Sequence, residues 1–130
     1  MVKVWTNGCF DVLHRGHIEM LKYAKSLGNE LIVGIDTDRK VKQDKGSDRP
    51  FNTLEDRMEM LRALRYVDRV IAFDTRADLQ RLLKEYSPHY LVVGADWRNK
   101  EVVGGEYAKE ICFFERVGNV STTKILGYLK

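Results

Sequence analysis

The sequence predicts an α/β fold: a single doubly wound parallel sheet with helices on both faces. Three observations lead there. Short apolar runs alternate with amphipathic stretches along the chain. Several of these runs are apolar throughout, as in strands covered on both sides. Polar or glycine-containing segments follow the strands at once, at the sheet edge where ligands of such folds bind.

Val2 to Thr6 reads as a first strand, ended by the turn residues Asn7 and Gly8. A helix begins near Gly16, where Ile18, Leu21, Tyr23-Ala24 and Leu27 recur at helical spacing, and Gly28-Asn29 stops it. Leu31 to Ile35 is a buried strand followed by Asp36-Thr37-Asp38. The charged, Gly/Pro-containing stretch Lys42 to Asn52 reads as a loop. Thr53 then caps a helix, with Asp56 three residues on and Met58, Leu61 and Leu64 as its apolar stripe. Val70 to Phe73 is a strand, Asp78 to Tyr86 a helix, Tyr90 to Val93 a strand closed by Gly94, and Ile111 to Phe114 a last strand. Ser121 caps a final helix through Leu129.

Length sets one domain, 1–130, since 130 residues support one core and not two. With the first strand at Val2 and the last helix ending near Lys130, the sequence is compatible with a free-standing domain, and a domain of a bifunctional enzyme stays open as the alternative. Hydrophobic residues at 44% and charged residues at 32% fit a soluble globular chain. The net charge of +3 is spread without a long basic run, which argues against a nucleic-acid partner. No signal peptide and no window of roughly 20 apolar residues is present, so no membrane association and a cytoplasmic location are expected. Cys9 and Cys112 lack any metal-ligand or CxxC spacing and are expected to be reduced.

Four segments fall just after strands: Asn7 to His17, Asp36 to Lys45, Gly94 to Lys100 and Arg116 to Thr123. In the first, His14 and His17 flank Gly16 at the entry to a helix, where free N–H groups and the helix dipole favour an anion. Imidazole donors there suit a phosphate; a metal pair or two surface histidines are the alternatives. Asp11, Asp36 and Asp38 at strand ends can hold substrate hydroxyls or the Mg²⁺ of a nucleotide, with substrate ranked first for Asp11. Gly94 permits close approach of a base, and Trp97 either stacks on a ligand or closes the core.

His14-Arg15-Gly16-His17 resembles the HxGH signature of the cytidylyltransferase-like nucleotidyltransferases, and Ser121-Thr122-Thr123-Lys124-Ile125 is similar to the STT motif at their final helix. The two occur in the right order, both at helix starts. The resemblance covers nearly the whole chain. It implies a Rossmann-like enzyme that moves a nucleoside monophosphate from ATP or CTP, brought with Mg²⁺, onto a phosphorylated small molecule. It implies His14, His17, Lys45 and Arg116 as catalytic, with Lys45 in a loop that closes over substrate. Cys9, Phe10, Gly16, Gly94, Asp96, Ser121, Thr122 and Thr123 are implied as nucleotide contacts, and Asp11, Asp38, Lys42 and Arg57 as substrate contacts. Arg57 could instead pair with Asp56 or Glu59, and Arg116 could be a surface residue. No bound metal beyond Mg²⁺ is expected.

Two branches share the likeness. Thr6 to Asp11, Lys45 to Asn52 and Val102 to Glu106 resemble the adenylyltransferases that use D-glycero-β-D-manno-heptose 1-phosphate. Arg116 to Ile125, Asp96-Trp97 and Arg65-Tyr66-Val67-Asp68 resemble the glycerol-3-phosphate cytidylyltransferases. The heptose branch ranks first because its matching segments include the loop expected to meet the acceptor. In this superfamily the Arg65 to Asp68 segment lies near a subunit contact, which implies a homodimer. A non-catalytic nucleotide-binding protein is the reading from a different class.

Overall fold

The computed structural model describes residues 1–115. In chain order it contains β1 (Lys3–Gly8), α1 (Arg15–Ser26), β2 (Glu30–Asp36), α2 (Asp38–Lys45), α3 (Leu54–Arg62), β3 (Arg69–Phe73), α4 (Arg76–Tyr86), β4 (Tyr90–Gly94) and β5 (Glu110–Phe114). Single 3₁₀ turns occur at Ala95–Trp97 and Gly105–Tyr107. The five strands form one parallel sheet in the order β3-β2-β1-β4-β5. The expected α/β class therefore holds, and the expected final helix from Ser121 lies outside the described residues.

Side-chain alternation along the strands explains the two-sided core. Val4, Leu31, Val33, Ile35 and Val92 face α1 and α3 through Leu21, Ala24 and Leu61. Trp5, Ile32, Leu91 and Phe73 face α4 through Leu79, Leu82 and Leu83. Gly34 makes the second layer fit: a Cβ there would stand 2.6 Å from Trp5 Cζ2, so only glycine lets the indole cross β2. Gly104 has φ +79°, and a Cβ would meet Leu83 Cδ1 at 2.2 Å, so this turn too requires glycine.

Most boundaries shift by a residue or two, as helix and strand ends do. β1 runs through Asn7 and Gly8, expected as turn residues, because the ladder to β2 continues to Gly8↔Ile35. The larger correction is α2, which replaces the first part of the expected Lys42 to Asn52 loop. Thr37 caps it by accepting from Lys40 N–H, Val41 is its one buried residue, and Lys40 pairs with Asp44 one turn on at 2.6 Å. A helix with one apolar contact leaves almost no periodic signal. The Thr53 cap is found as expected, accepting from Asp56 N–H at 3.3 Å.

Strand order reverses between β1 and β4, and there the sheet opens. Pairing of β1 with β4 stops at Trp5↔Leu91, whereas pairing with β2 continues to the strand end. Thr6 Oγ1 donates to Val92 O at 2.9 Å one residue beyond the last β1–β4 pair. This divergence at the carboxyl ends forms the crevice in which ligands of doubly wound sheets bind.

Candidate active site

The crevice is a cavity of about 360 Å³ whose wall includes Asn7, Gly8 and Cys9 from β1 and its end, Gly94 and Trp97 after β4, Asp36 at the end of β2, and Lys40 and Lys45 on α2. Phe73, Leu79, Val102 and Val103 give it an apolar side. Two of the expected nucleotide contacts, Cys9 and Gly94, thus meet Lys45 at one cavity. Lys45 is exposed in the last turn of α2 rather than in a loop. Lys42 is also exposed on α2 but does not line the cavity. Trp97, 45% exposed, lies on the cavity wall and does not close the core.

At the start of α1 the two histidines interlock. His14 is the N-cap, and its Nδ1 accepts from Gly16 N–H at 3.0 Å. His17 Nδ1 accepts in return from His14 N–H at 3.2 Å, completing a capping box made of imidazoles. With Nδ1 of each neutral ring used as acceptor, the ring proton sits on Nε2. The rings lie 4.0 Å apart between centroids, and Phe10 braces His17 at 5.5 Å. Burial, then the neighbouring His14 and Lys45, push His17 down to about 4. His17 is therefore neutral at pH 7, an N–H donor and not a standing cation. Gly16, expected as a nucleotide contact, gives its N–H to His14 instead.

Three residues expected as ligand contacts have side chains engaged inside the protein. Arg57 is 1% exposed, and its donors are taken inside the protein. Nη1 donates to Cys9 O and Asp36 O, each at 2.8 Å, Nε to Asn52 O at 3.1 Å, and Nη2 to Asp38 Oδ1 at 2.7 Å. It meets neither Asp56 nor Glu59 but joins the ends of β1 and β2 to the starts of α2 and α3. Asp11 has a fully buried side chain. Its oxygens accept from Phe51 N–H at 2.7 Å, Asn52 N–H at 2.8 Å and Arg49 Nε at 3.3 Å, while Asn52 Nδ2 donates to Asp11 O at 2.8 Å. Both side chains are thus buried and engaged mainly with the protein's own groups. Phe10, 4% exposed at φ 49°, belongs with its side chain to the core.

Asp38 is tied to Arg57 but remains 40% exposed, and Asp96 is exposed in the turn after β4. Cys9 is held up as a thiol by burial, against the pull of Arg57 and Lys45. Arg116, Ser121, Thr122 and Thr123 lie outside the described residues. Asp36, one of several strand-end acids in the sequence, stands on the cavity wall. Among the described residues, no group of three or more His, Cys, Asp or Glu is arranged to hold a metal, and no helix is long and apolar enough to cross a membrane.

The chain is 47% identical over 127 residues to the bifunctional protein HldE of Campylobacter fetus subsp. fetus, covering 98% of this chain and 28% of that protein. It is 47% identical over 123 residues to the HldE of Helicobacter hepaticus, covering 95% and 25%. The chain thus spans about a quarter of the length of these curated relatives. In a crystal structure of the lipopolysaccharide core biosynthesis protein from Thermoplasma volcanium, the same fold superposes with a TM-score of 0.72 at 26% identity, covering 93% of this chain and 99% of that one. A family model described as cytidylyltransferase-like matches residues 5–125. With that match running from β1 past β5, the chain belongs to the cytidylyltransferase-like family of nucleotidyltransferases.

Proposed function

We propose that this domain transfers the adenylyl group of ATP to the phosphate of a heptose 1-phosphate and releases pyrophosphate. One observation carries the reading: two imidazoles whose Nδ1 atoms are spent on capping, leaving the Nε2 donors, stand at a helix N-terminus within electrostatic reach of Lys45, a residue of the cavity wall that the histidines themselves do not line. The segments resembling heptose-phosphate adenylyltransferases support the acceptor, as do the HldE relatives and the solved lipopolysaccharide core biosynthesis protein of the same fold.

The acceptor phosphate is already ionised near neutral pH, so the nucleophile needs no general base. One of its oxygens bonds to the α-phosphorus as the bond from that phosphorus to the β-phosphate bridge breaks. Catalysis is then alignment and charge compensation. His14 and His17 donate to phosphate oxygens from Nε2. Lys45 brings a mobile cation to the α-phosphate, and Arg116 with Ser121, Thr122 and Thr123 completes the triphosphate cradle. Cys9, Gly94 and Asp96 border the nucleotide, and Asp38 and Lys42 the acceptor. Mg²⁺ comes as part of the substrate, bound by triphosphate oxygens and water.

Residues 1–130 act as one domain in the cytoplasm and as a homodimer through the Arg65 to Asp68 region. Sedimentation of the purified chain tests the dimer. Pyrophosphate release tests the reaction, with ATP and CTP each crossed against heptose 1-phosphate and glycerol 3-phosphate. ATP with the heptose phosphate should turn over fastest. CTP with glycerol 3-phosphate as the best pair would move the enzyme to the other branch that Arg116 to Ile125 resembles.

A further inference from the structure

Asp36 differs from every other carboxylate around the site. It is the last residue of β2 and stands on the cavity wall. Its backbone is fixed from two sides: Arg57 Nη1 donates to its carbonyl at 2.8 Å, and the next residue, Thr37, donates its N–H to Phe73 O at 3.1 Å. Its carboxylate oxygens, however, meet no hydrogen-bond donor among the described residues. Asp11 has three donors, Asp38 has Arg57 and Asp44 has Lys40. Burial pushes the Asp36 carboxyl up, while Lys40, Arg57 and Lys45 act in the opposite direction and Asp44 adds to the rise. A half-buried carboxylate held rigidly with its acceptor sites open is an incomplete hydrogen-bonding set.

The chemistry of the surroundings decides what completes it. A phosphate is repelled by the carboxylate. A divalent cation would enter the field of Lys40, Lys45 and Arg57, and the neighbouring Asp44 is already paired. Neutral hydroxyl donors remain, and they gain most from a charged acceptor in a half-dry site. With the histidines at the α1 side assigned to the triphosphate, the β2 side of the cavity is left to the acceptor.

We propose that Asp36 is a specificity-determining residue that accepts hydrogen bonds from hydroxyls of the phosphorylated acceptor. This rests on the sugar-phosphate reading above. It explains how one site can favour a polyhydroxylated phosphate over free phosphate or a less hydroxylated one.

The test is steady-state kinetics of wild type, Asp36→Ala and Asp36→Asn with ATP and heptose 1-phosphate. The KM for the sugar phosphate should rise about tenfold or more in Asp36→Ala, with the KM for ATP within about twofold and thermal stability unchanged or higher, since an unpartnered carboxylate is removed. Asp36→Asn, close in shape, separates loss of charge from loss of volume and should also raise the sugar-phosphate KM. A rise confined to the ATP KM would assign Asp36 to the nucleotide and overturn the inference, as would unchanged kinetics in both variants. Wild type active only on glycerol 3-phosphate would overturn the heptose assignment alone; Asp36→Ala should then raise the KM for that polyol phosphate. Wild type silent with every pair would overturn the parent reading and this inference with it.

Discussion

The turn from β1 into α1 and the connection from α2 into α3 carry the same kinds of residue but use them in opposite ways. In the first, His14 and His17 cap each other through Nδ1 and keep their protons on Nε2. Around the second, Arg57 of α3 and Asp11, which reaches across from the β1–α1 turn, look equally like ligand-binding groups, yet they are engaged by backbone carbonyls and backbone N–H groups inside the protein. A charged residue at a strand end is thus as able to build the frame of a site as to touch its ligand. Substitutions in the two regions should therefore separate stability from activity.

The largest effect is expected at Arg57. Arg57→Ala leaves Asp38 and three carbonyl oxygens without their donor in a buried place, which should cost about 3–5 kcal/mol. In a domain of this size the melting temperature should drop by roughly 10–20 °C, read by calorimetry or circular dichroism. Arg57→Lys keeps the charge but cannot span four acceptors and should recover only part of the loss. Near-native stability of Arg57→Ala would return this residue to the ligand side of the comparison.

His14→Asn should give the opposite pattern. Asparagine is a good N-cap, so it can still accept from the first turn of α1, but it has no donor where Nε2 stood. Stability should stay within about 1 kcal/mol of wild type, while kcat/KM for pyrophosphate release falls by about 10²–10³. A stability loss as large as that of Arg57→Ala would make His14 a frame residue as well.

Asp11→Asn comes next. The amide keeps one acceptor oxygen but turns an NH₂ toward a backbone donor, at a cost of about 2 kcal/mol. Hydrogen exchange should speed up first at Phe51 and Asn52, the two N–H groups Asp11 holds, with activity lowered only through the loosened connection. Unchanged protection at both amides would contradict the clamp.

These cases also show what the sequence made legible. The strands were readable because Leu31 to Ile35 and Tyr90 to Val93 are apolar on both faces, and the histidine turn because its spacing carries its own local hydrogen bonds. Helix α2 was not readable, since only Val41 is buried in it. The roles of Arg57 and Asp11 were hidden for a different reason. Their partners are mostly backbone groups as far as 48 residues away for Arg57 to Cys9, and a carbonyl has no residue type to recognise. Asp36 was visible as an acid after a strand; only the cavity and the open acceptor sites distinguish it from Asp11 and Asp38.

The smallest predicted effect concerns His17 and pH. Burial, His14 and Lys45 hold its folded-state value at about 4, whereas in the unfolded chain it titrates near 6.5. Between those values only the unfolded chain binds that proton, so the contribution of His17 to stability is complete above about 6.5 and is lost as pH falls toward 4. The full shift corresponds to about 3 kcal/mol, and the partial exposure of the ring reduces the expectation to about 1–2 kcal/mol. His17→Asn keeps an acceptor for His14 N–H but cannot titrate. Because carboxylates titrate in the same range, the quantity to measure is the difference in unfolding free energy between wild type and His17→Asn, at pH 7 and at pH 4.5. That difference should move in favour of the variant by about 1–2 kcal/mol at the lower pH. Saturating ATP should shrink the movement, because a phosphate on Nε2 favours the imidazolium and raises the folded-state value. A difference independent of pH would mean that His17 titrates in the fold as it does in the unfolded chain, near 6.5, and only a movement in the opposite direction would make it a cation at pH 7 and overturn the neutral Nε2 donor.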